Sequence, residues 1–429
     1  MIPEGYRMTE LGPLPEEWRV VRLGEVVSLR RGTVDPAKAG YRRYVGLEHI
    51  QPGNVRLASW GDPCSVKSAK AVFKPGDILF AKLRPYLDKA AIAESEGICS
   101  TDILVLTPGE HIDNWYFAFL AHHPFVLNHA ISTTTGVNHP RTSWRALSVG
   151  LIPLPPIPEQ RAIAHVLRTV QRTKEATERV IAALKELKKS LMKHLFTYGP
   201  APLDQADQVP LKETEIGPIP VHWRVVRLRE VVHKTRQIDP RKTPNQHFKY
   251  IDVSSVSKER LAVVSCQIIH GKNAPSRARK QVEKGDVIFA TVRPYLKRIA
   301  KIPPELHKQI CSTAFCVLRA RENVLDSEFL FYAVSTDAFV ARVAEHQRGS
   351  SYPAVTDKDV LEECIPLPPL DEQHEIARVL QTVDRKIEAE ENRKQALDDL
   401  FKTLLHHLMT AKIRVPRTMV ERFASHEEE

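Results

Sequence analysis

The chain has 429 residues, with 62 Lys+Arg against 52 Asp+Glu and a formal charge of +10. That length implies two or three domains at roughly 100–200 residues each, and 42% apolar with 27% charged residues excludes a disordered chain. No apolar run reaches the ~18 residues of a membrane span, the opening MIPEGYRMTELG carries no secretory signal, and the cysteines Cys64, Cys99, Cys266, Cys311, Cys316 and Cys364 form no CxxC pair, which points away from disulfides and zinc and toward a reduced, cytoplasmic compartment.

In chain order, the first feature is a repeat. GPLPEEWRVVRLGEVV at 12–27 returns as GPIPVHWRVVRLREVV at 217–232, with 12 of 16 positions identical. GDILFAKLRPYLDKAAI (76–92) returns at 285–301, ICSTDILVL (98–106) at 310–318, and IPLPPIPEQRAIAHVL (152–167) at 365–380. The offset grows from 205 to 213 along the chain, as expected of two copies of one fold with a few loop residues inserted in the second. The period is too long for a solenoid.

Each copy opens with a strand-rich α/β part. Short apolar runs at 20–23, 77–80 and 103–106 are bounded by turn signals such as Lys74-Pro75-Gly76-Asp77. A helical stretch near 115–127, echoed at 327–343, precedes a polar loop at 132–143 and 345–356. Pro155-Pro156 and Pro368-Pro369 then stop a strand, and a long helix starts at Pro158 and at Asp371. Alternating steps of four and three give an apolar seam of Ile163, Leu167, Val170, Ile181, Leu184, Leu191 and Leu195 in the first helix. The second carries Ile376, Leu380, Val383, Ile387, Leu397, Phe401, Leu404 and Leu408. Such a seam over about five heptads predicts a coiled coil of the two helices, with Lys174, Thr177, Glu390 and Lys394 as polar interruptions that set register. The bland alternative is a helix packed only on its own domain. The resulting division is 1–151, 152–216 (helix and linker), 217–364, 365–412 and a tail at 413–429.

Catalytic signatures are missing: no GxxxxGK[ST], GxGxxG, HExxH or GxSxG occurs. The pairs His122-His123 and His406-His407 lack metal-ligand spacing, the latter reading as a solvated helix flank, and Cys99 and Cys311 read as small buried hydrophobes. The chain reads as non-enzymatic, with no metal and no cofactor of its own.

What remains is recognition chemistry. Lys82, Arg84, Tyr86 and Lys89 in the first copy, and Arg293, Tyr295, Lys297 and Arg298 in the second, place cations and an aromatic on the turn of the repeated Arg-Pro-Tyr-Leu unit. Arg grips phosphate or the guanine edge, while a structural salt bridge inside the fold is an equal alternative for Arg84 and Arg293. The polar loops align in place and differ in content, offering Thr134, Asn138, His139 and Arg141 against Gln347, Arg348, Ser350, Ser351 and Tyr352, side chains that read base edges or phosphates. Basic residues in the divergent stretches 30–70 and 236–282 (Arg30, Arg31, Arg42, Arg43, Arg241, Lys242, Arg277, Arg279, Lys280) are weaker phosphate candidates.

The ordered pair of α/β units, each closed by IPLPPxxEQ and a long helix, with LGPLPEEW, KPGDILFAKLRPYL and EKGDVIFATVRPYL, resembles the specificity subunit of type I restriction–modification systems. The resemblance covers residues from about 10 to 412. It implies two target recognition domains, related by a pseudo-two-fold axis and joined by an antiparallel coiled coil, each reading one half of a split double-stranded DNA target. Two modification subunits that methylate adenine with S-adenosylmethionine would dock on the helical region, and ATP- and Mg-dependent restriction subunits would join the complex. A coiled-coil assembly scaffold without sequence-specific DNA binding is the alternative, and it leaves the two divergent globular units unexplained. The tail at 413–429 has no counterpart after the first helix and reads as a partner-docking or disordered extension.

The charge is uneven. Residues 1–150 hold 17 basic and 15 acidic side chains, whereas 217–363 hold 25 and 16. If both units hold DNA, the first must rely on local placement of its cations or on partner subunits.

Overall fold

The computed structural model describes residues 2–38, 40–349 and 353–425. The chain divides into two compact units, Met1–Arg179 with Asn392–Glu429, and Val180–Glu391.

In unit 1, the repeated opening strand Arg19–Arg22 pairs antiparallel with Leu151–Leu154, Val21 opposite Ile152. The first and last motifs of the copy therefore lie side by side. An antiparallel sheet runs Val27–Leu29, Ile103–Pro108, Ile78–Ala81, Ala90–Ile92. Its central Ile78–Ala81 strand is buried at every residue, which is why it reads as an unbroken apolar run rather than an alternating one. A second sheet runs Thr33–Val34, Lys70–Phe73, Gly97–Cys99, Tyr44–Val45, the last pair parallel. Trp18, Phe80, Tyr116, Phe117 and Phe119 fill the main core. Cys99 is wholly buried, and burial pushes its thiol up to about 12.

Unit 2 repeats the plan. Arg224–Arg227 pairs with Cys364–Leu367, and the sheets run Val232–His233, Phe315–Ala320, Val287–Ala290, Ile299–Lys301 and Gln267–His270, His247–Ile251, Ile310–Ser312, Ala278–Gln281. Trp223, Phe289, Phe329 and Phe339 fill its core. Cys311 is buried in the unit's second cluster with Ile251 and Phe315, its thiol likewise pushed up to about 12 by desolvation.

The Trp and EQ motifs explain each other. Trp18 Nε1 donates to Glu159 Oε2 at 2.9 Å across 141 residues, and Trp223 Nε1 donates to Glu372 Oε2 at 2.8 Å. The adjacent glutamines are a second latch: Gln160 Nε2 donates to the carbonyls of Pro155 (2.8 Å) and His111 (3.1 Å), and its Oε1 accepts from Asp113 N at 2.8 Å. Gln373 does the same with Pro368, Val324 and Asp326. Both glutamines are fully buried, where an unmade hydrogen bond is costly.

The single helical stretch expected near 115–127 is two helices, Asn114–Leu120 and Pro124–Ser132. Pro124 cannot continue a helix but suits a first turn, and His123 Nδ1 caps the second helix by accepting from Phe125 N at 3.3 Å. In unit 2 the break between Ser327–Ser335 and Asp337–Glu345 falls at Thr336, whose hydroxyl accepts from Phe339 N at 3.3 Å.

The long helices span Ile157–Tyr198 (42 residues) and Leu370–Met409 (40 residues), about 60 Å each at 1.5 Å per residue. Within unit 1, Lys174 pairs with Asp398 at 2.6 Å and Glu178 with Lys394 at 2.9 Å. Within unit 2, Lys185 pairs with Glu391 at 2.8 Å and Lys188 with Asp384 at 2.6 Å. In both units one number climbs as the other falls, so the helices run antiparallel, and the polar interruptions Lys174 and Lys394 are among the paired residues, with Asp398 and Glu178 as their partners. Of the seam, Ile163, Leu167, Ile181, Leu195, Ile376, Leu380, Ile387 and Leu408 are buried; Val170, Leu184, Leu191, Val383, Leu397, Phe401 and Leu404 are half-buried. Near the helix ends the seam enters the domains. Ile163, Leu167 and Leu408 join the core of Trp18 and Phe119, and Leu195, Ile376 and Leu380 join that of Trp223. No helix among the described residues is long and apolar enough to cross a membrane.

The tail, expected to dock a partner or be disordered, is folded through Ser425 on unit 1. Arg414 grips Glu159 with two 2.9 Å hydrogen bonds and Glu17 with one of 2.7 Å. Val415 is buried, and Met419, Val420 and Phe423 of the helix Arg417–Ala424 pack on the core. His426, Glu427, Glu428 and Glu429 lie outside the described residues.

His406 is exposed but not merely a solvated flank: it stacks on His123, ring centroids 5.7 Å apart and 17° from parallel. His123 Nε2 is buried without a hydrogen-bond partner. Burial, with the neighbouring His406 adding to it, lowers the His123 pKa to about 3. An unfolded histidine titrates near ~6.5. Between those values the unfolded chain takes a proton that the folded one refuses, so stability is full above about pH 6.5 and falls as acidity rises toward pH 3. The slope is at most about 1.4 kcal/mol per pH unit. His123→Thr, which installs the capping residue of the second copy, should flatten the pH dependence of unit 1 unfolding between pH 6.5 and 4. Thermal melts across that range check it, and an unaltered slope would count against the assignment.

Candidate nucleic-acid interface

In unit 1 the strand Ile78–Ala81 runs into Lys82-Leu83 and then a tight reversal. Arg84 takes the left-handed conformation (φ 50°), Pro85–Leu87 form a 3-10 turn, and Asp88 is left-handed again (φ 51°). Between the paired left-handed residues Pro85 is buried, while Tyr86 is 54% and Leu87 41% exposed. The polar loop lies directly alongside. Arg84 N donates to Pro140 O at 2.8 Å, Thr142 N to Lys82 O at 3.0 Å, and Leu83 forms a bridge with Arg141. The loop closes on itself through Thr135 and Arg141, with Gly136 at φ +90° where a side chain would be strained. Asn138 and His139 are exposed at its tip, Thr134 is half-buried, and Val137 is 97% exposed. Two candidates picked separately from the sequence thus form one continuous surface.

Unit 2 builds the same surface. Arg293 and Lys297 are left-handed (φ 50° each) around Pro294–Leu296. Arg293 N donates to Pro353 O at 2.8 Å, and Val355 N to Thr291 O at 2.9 Å. Val292 and Arg348 both form bridges with Ala354. Tyr295 is 52% exposed, and Arg348 is exposed with Nη2 3.4 Å from Asp359 Oδ1. Ser350, Ser351 and Tyr352 lie outside the described residues.

The remaining candidates divide by what they touch. Arg141 is held in two hydrogen bonds to Asp102, at 2.9 and 3.2 Å, which lowers the Asp102 pKa and fixes the guanidinium plane beside Lys82. Arg84 is exposed, with Nη2 3.4 Å from the Asn138 carbonyl. Lys297 pairs with Asp337 and lowers its pKa, and the Gln347 amide donates to Ala344 O at 2.9 Å, ending a helix. Lys89 and Arg298 point inward: Lys89 Nζ donates to Leu47 O at 2.6 Å, and Arg298 Nη1 to Val253 O at 3.0 Å and Val256 O at 2.5 Å.

Several cations of the divergent stretches are scaffold. Arg30 makes two hydrogen bonds to the buried Asp77, at 2.6 and 2.8 Å. Arg319, unmarked in the sequence, makes the same grip on Asp286 at 2.9 and 2.8 Å. Arg279 pairs with Asp239 at 3.1 Å. Lys280 is 5% exposed and donates to Phe315 O at 2.6 Å and to Asp357, because its strand faces the interior at that residue. Arg43 lies 4.2 Å over the Trp60 ring, itself 50% exposed, a flat cation–aromatic platform that composition gave no means of finding. Among the described residues, no group of three or more His, Cys, Asp or Glu could hold a metal ion.

Two α/β copies, each with an exposed aromatic on a rigid turn against a polar loop and each tied to a long helix, define a tandem recognition protein. The family model of the type I restriction modification DNA specificity domain matches residues 15–186 and again 220–399, and the chain belongs to that family. It is 25% identical over 424 residues to the specificity subunit of the type I restriction enzyme MjaVIII from Methanocaldococcus jannaschii, covering 94% of both chains. Two solved structures share the fold. The S subunit of the type I restriction–modification system from M. genitalium superposes with a TM-score of 0.55 at 16% identity, over 91% of this chain and 96% of that one. A chain from a study of the assembly and conformational transition of the type I system gives 0.53 at 24%, over 93% and 99%.

Proposed function

We propose that this chain is the non-catalytic, DNA-reading subunit of a type I restriction–modification complex, in which each unit reads one half of a bipartite target. The observation that carries the reading is the coming together, in both copies, of the Arg-Pro-Tyr-Leu turn and the polar loop. Arg84, Tyr86, Asn138 and His139 in unit 1, and Tyr295 and Arg348 in unit 2, offer phosphate grips, base-edge donors and acceptors, and stacking faces. The two loops differ in content, so the two half-sites differ in sequence. The paired helices set the gap between half-sites and dock two adenine methyltransferase subunits, and restriction subunits join the same complex. S-adenosylmethionine, ATP and Mg are bound by those partners, and the assembly works in the cytoplasm.

Family membership supports the DNA-specificity role directly. The helix pairing inside each unit supports the ruler role, since its ion pairs fix one register. The test is methylation-sensitive sequencing of the host genome with the gene present and deleted. A split adenine motif lost on deletion is the expected result, and an unchanged methylome rejects the reading.

A further inference from the structure

The divergent stretches conceal a third shared element. Residues 44–50 (YVGLEHI) and 250–256 (YIDVSSV) occupy equivalent places. Tyr44 pairs in parallel with Ile98 and Tyr250 with Ile310, and each strand runs into a 3-10 turn, Leu47–His49 and Val253–Ser255. The apolar anchors agree, with Val45, Ile50, Ile251 and Val256 all buried. The exposed residue of the turn differs: Glu48 against Ser254. Local closure differs too. Gly46 N donates to His49 Nδ1 at 2.9 Å in unit 1, whereas Ser255 N donates to Asp252 Oδ1 at 3.0 Å in unit 2.

What the copies share is a cation from the Arg-Pro-Tyr-Leu turn. Lys89 and Arg298 hold the same place in the repeat, and each donates to the carbonyl that opens the 3-10 turn, Leu47 O at 2.6 Å and Val253 O at 3.0 Å. In unit 1, Gly53 N adds a bond to Asp88 O at 2.8 Å. Two chemically different cations meeting one carbonyl position in two diverged copies is not expected of solvated surface charges. The same reversal already carries the polar loop through the Arg84 and Arg293 amides, so in each copy the polar loop and the 3-10 turn are both fixed to one rigid turn.

We propose that the turns at 46–50 and 252–256 belong to the DNA-reading surface of their units, and that Lys89 and Arg298 are positioning residues that seat them. The inference rests on the reading above. The cations act through the turn and touch no base. Their loss frees the turn by an ångström or so, enough to blur a site that must be held within about 0.5 Å, while phosphate contacts elsewhere keep the complex on DNA. The consequence is relaxed sequence choice confined to one half-site, with the other half-site of the same molecule as control.

The experiment is single-molecule methylation mapping by the full complex with its modification subunits, using wild type, Lys89→Met, Lys89→Arg, Arg298→Met and Arg298→Lys. Lys89→Met should raise methylation at sites mismatched in the first half by about tenfold relative to the matched site and leave second-half choice unchanged. Lys89→Arg, importing the cation of the other copy, should restore it, and the Arg298 variants should mirror this on the second half. A motif unchanged in both Met variants overturns the proposal. So does equal relaxation of both halves, or a Met variant no worse than its cationic replacement. If one Met variant is inactive through misfolding, the variants of the other copy decide. A wild-type complex without any split motif overturns the functional reading itself, and is seen before any variant is compared.

Discussion

Trp18→Ala should destabilise unit 1 by about 4 kcal/mol. The ring is 1% exposed at the centre of a core with Phe117 and Phe119, so its loss leaves a cavity that packed neighbours cannot fill. The indole also satisfies Glu159 Oε2, a carboxylate only 3% exposed and shared with Arg414. Trp18→Phe keeps most of the apolar burial and removes the donor, so it should cost about 1–2 kcal/mol. Urea unfolding followed by hydrogen exchange, which localises the loss to one unit, checks both. A cost below about 1 kcal/mol for Trp18→Ala would show that the latch is not what joins the opening strand to the long helix. Trp223→Ala should repeat the result in unit 2, where Trp223 is equally buried and donates to Glu372.

Inserting four residues in register into the first long helix should lengthen the gap between the two methylated half-sites by one or two base pairs. Four residues add ~6 Å and slightly more than one turn, and a base step is ~3.4 Å. The insertion preserves the apolar face to within about 40°, a local stutter that paired helices absorb by unwinding. The ion pairs Lys174–Asp398 and Lys188–Asp384 show where register is fixed, so an insertion between positions 174 and 188 removes no pairing residue but makes the pairs on one side of it re-form about one turn along the second helix. The methylated motif of a strain carrying the insertion gives the answer. Half-sites read as before across a longer gap are the expected outcome, and an unchanged gap refutes the ruler.

Much of the architecture is legible in the chain. The repeat announces two copies, the steps of three and four announce the helices, and the unbroken apolar runs mark strands buried on both faces. The candidate surface is half legible. The Arg-Pro-Tyr-Leu turn and the polar loop are each visible as segments, but only the backbone bonds from Arg84 to Pro140 and from Arg293 to Pro353 make them one surface. Lys89 and Arg298 look like further DNA-facing cations because sequence gives charge without direction; the turn points them at carbonyls. The 44–50 and 250–256 equivalence escapes notice because only its buried anchors agree, and the pairing that aligns them is with a strand about 50–60 residues away. The tail reads as an appendage because Glu159, its partner, is 255 residues from Arg414.

Sequence by itself therefore determined the number of copies, from motifs that return in the same order, and the two long helices, from an apolar step of three and four residues; their antiparallel use came only as an implication of the family resemblance. The tertiary structure decided which repeated residues are latches and which face solvent. Trp18 with Glu159, Gln160 with Asp113, Lys89 with Leu47 and His123 with His406 are meetings across 42 to 283 positions of the chain, and a hydrogen bond or a stacked ring depends on distance and angle in space. The physical reason is that burial is a property of a residue and its near neighbours, while direction is a property of the fold.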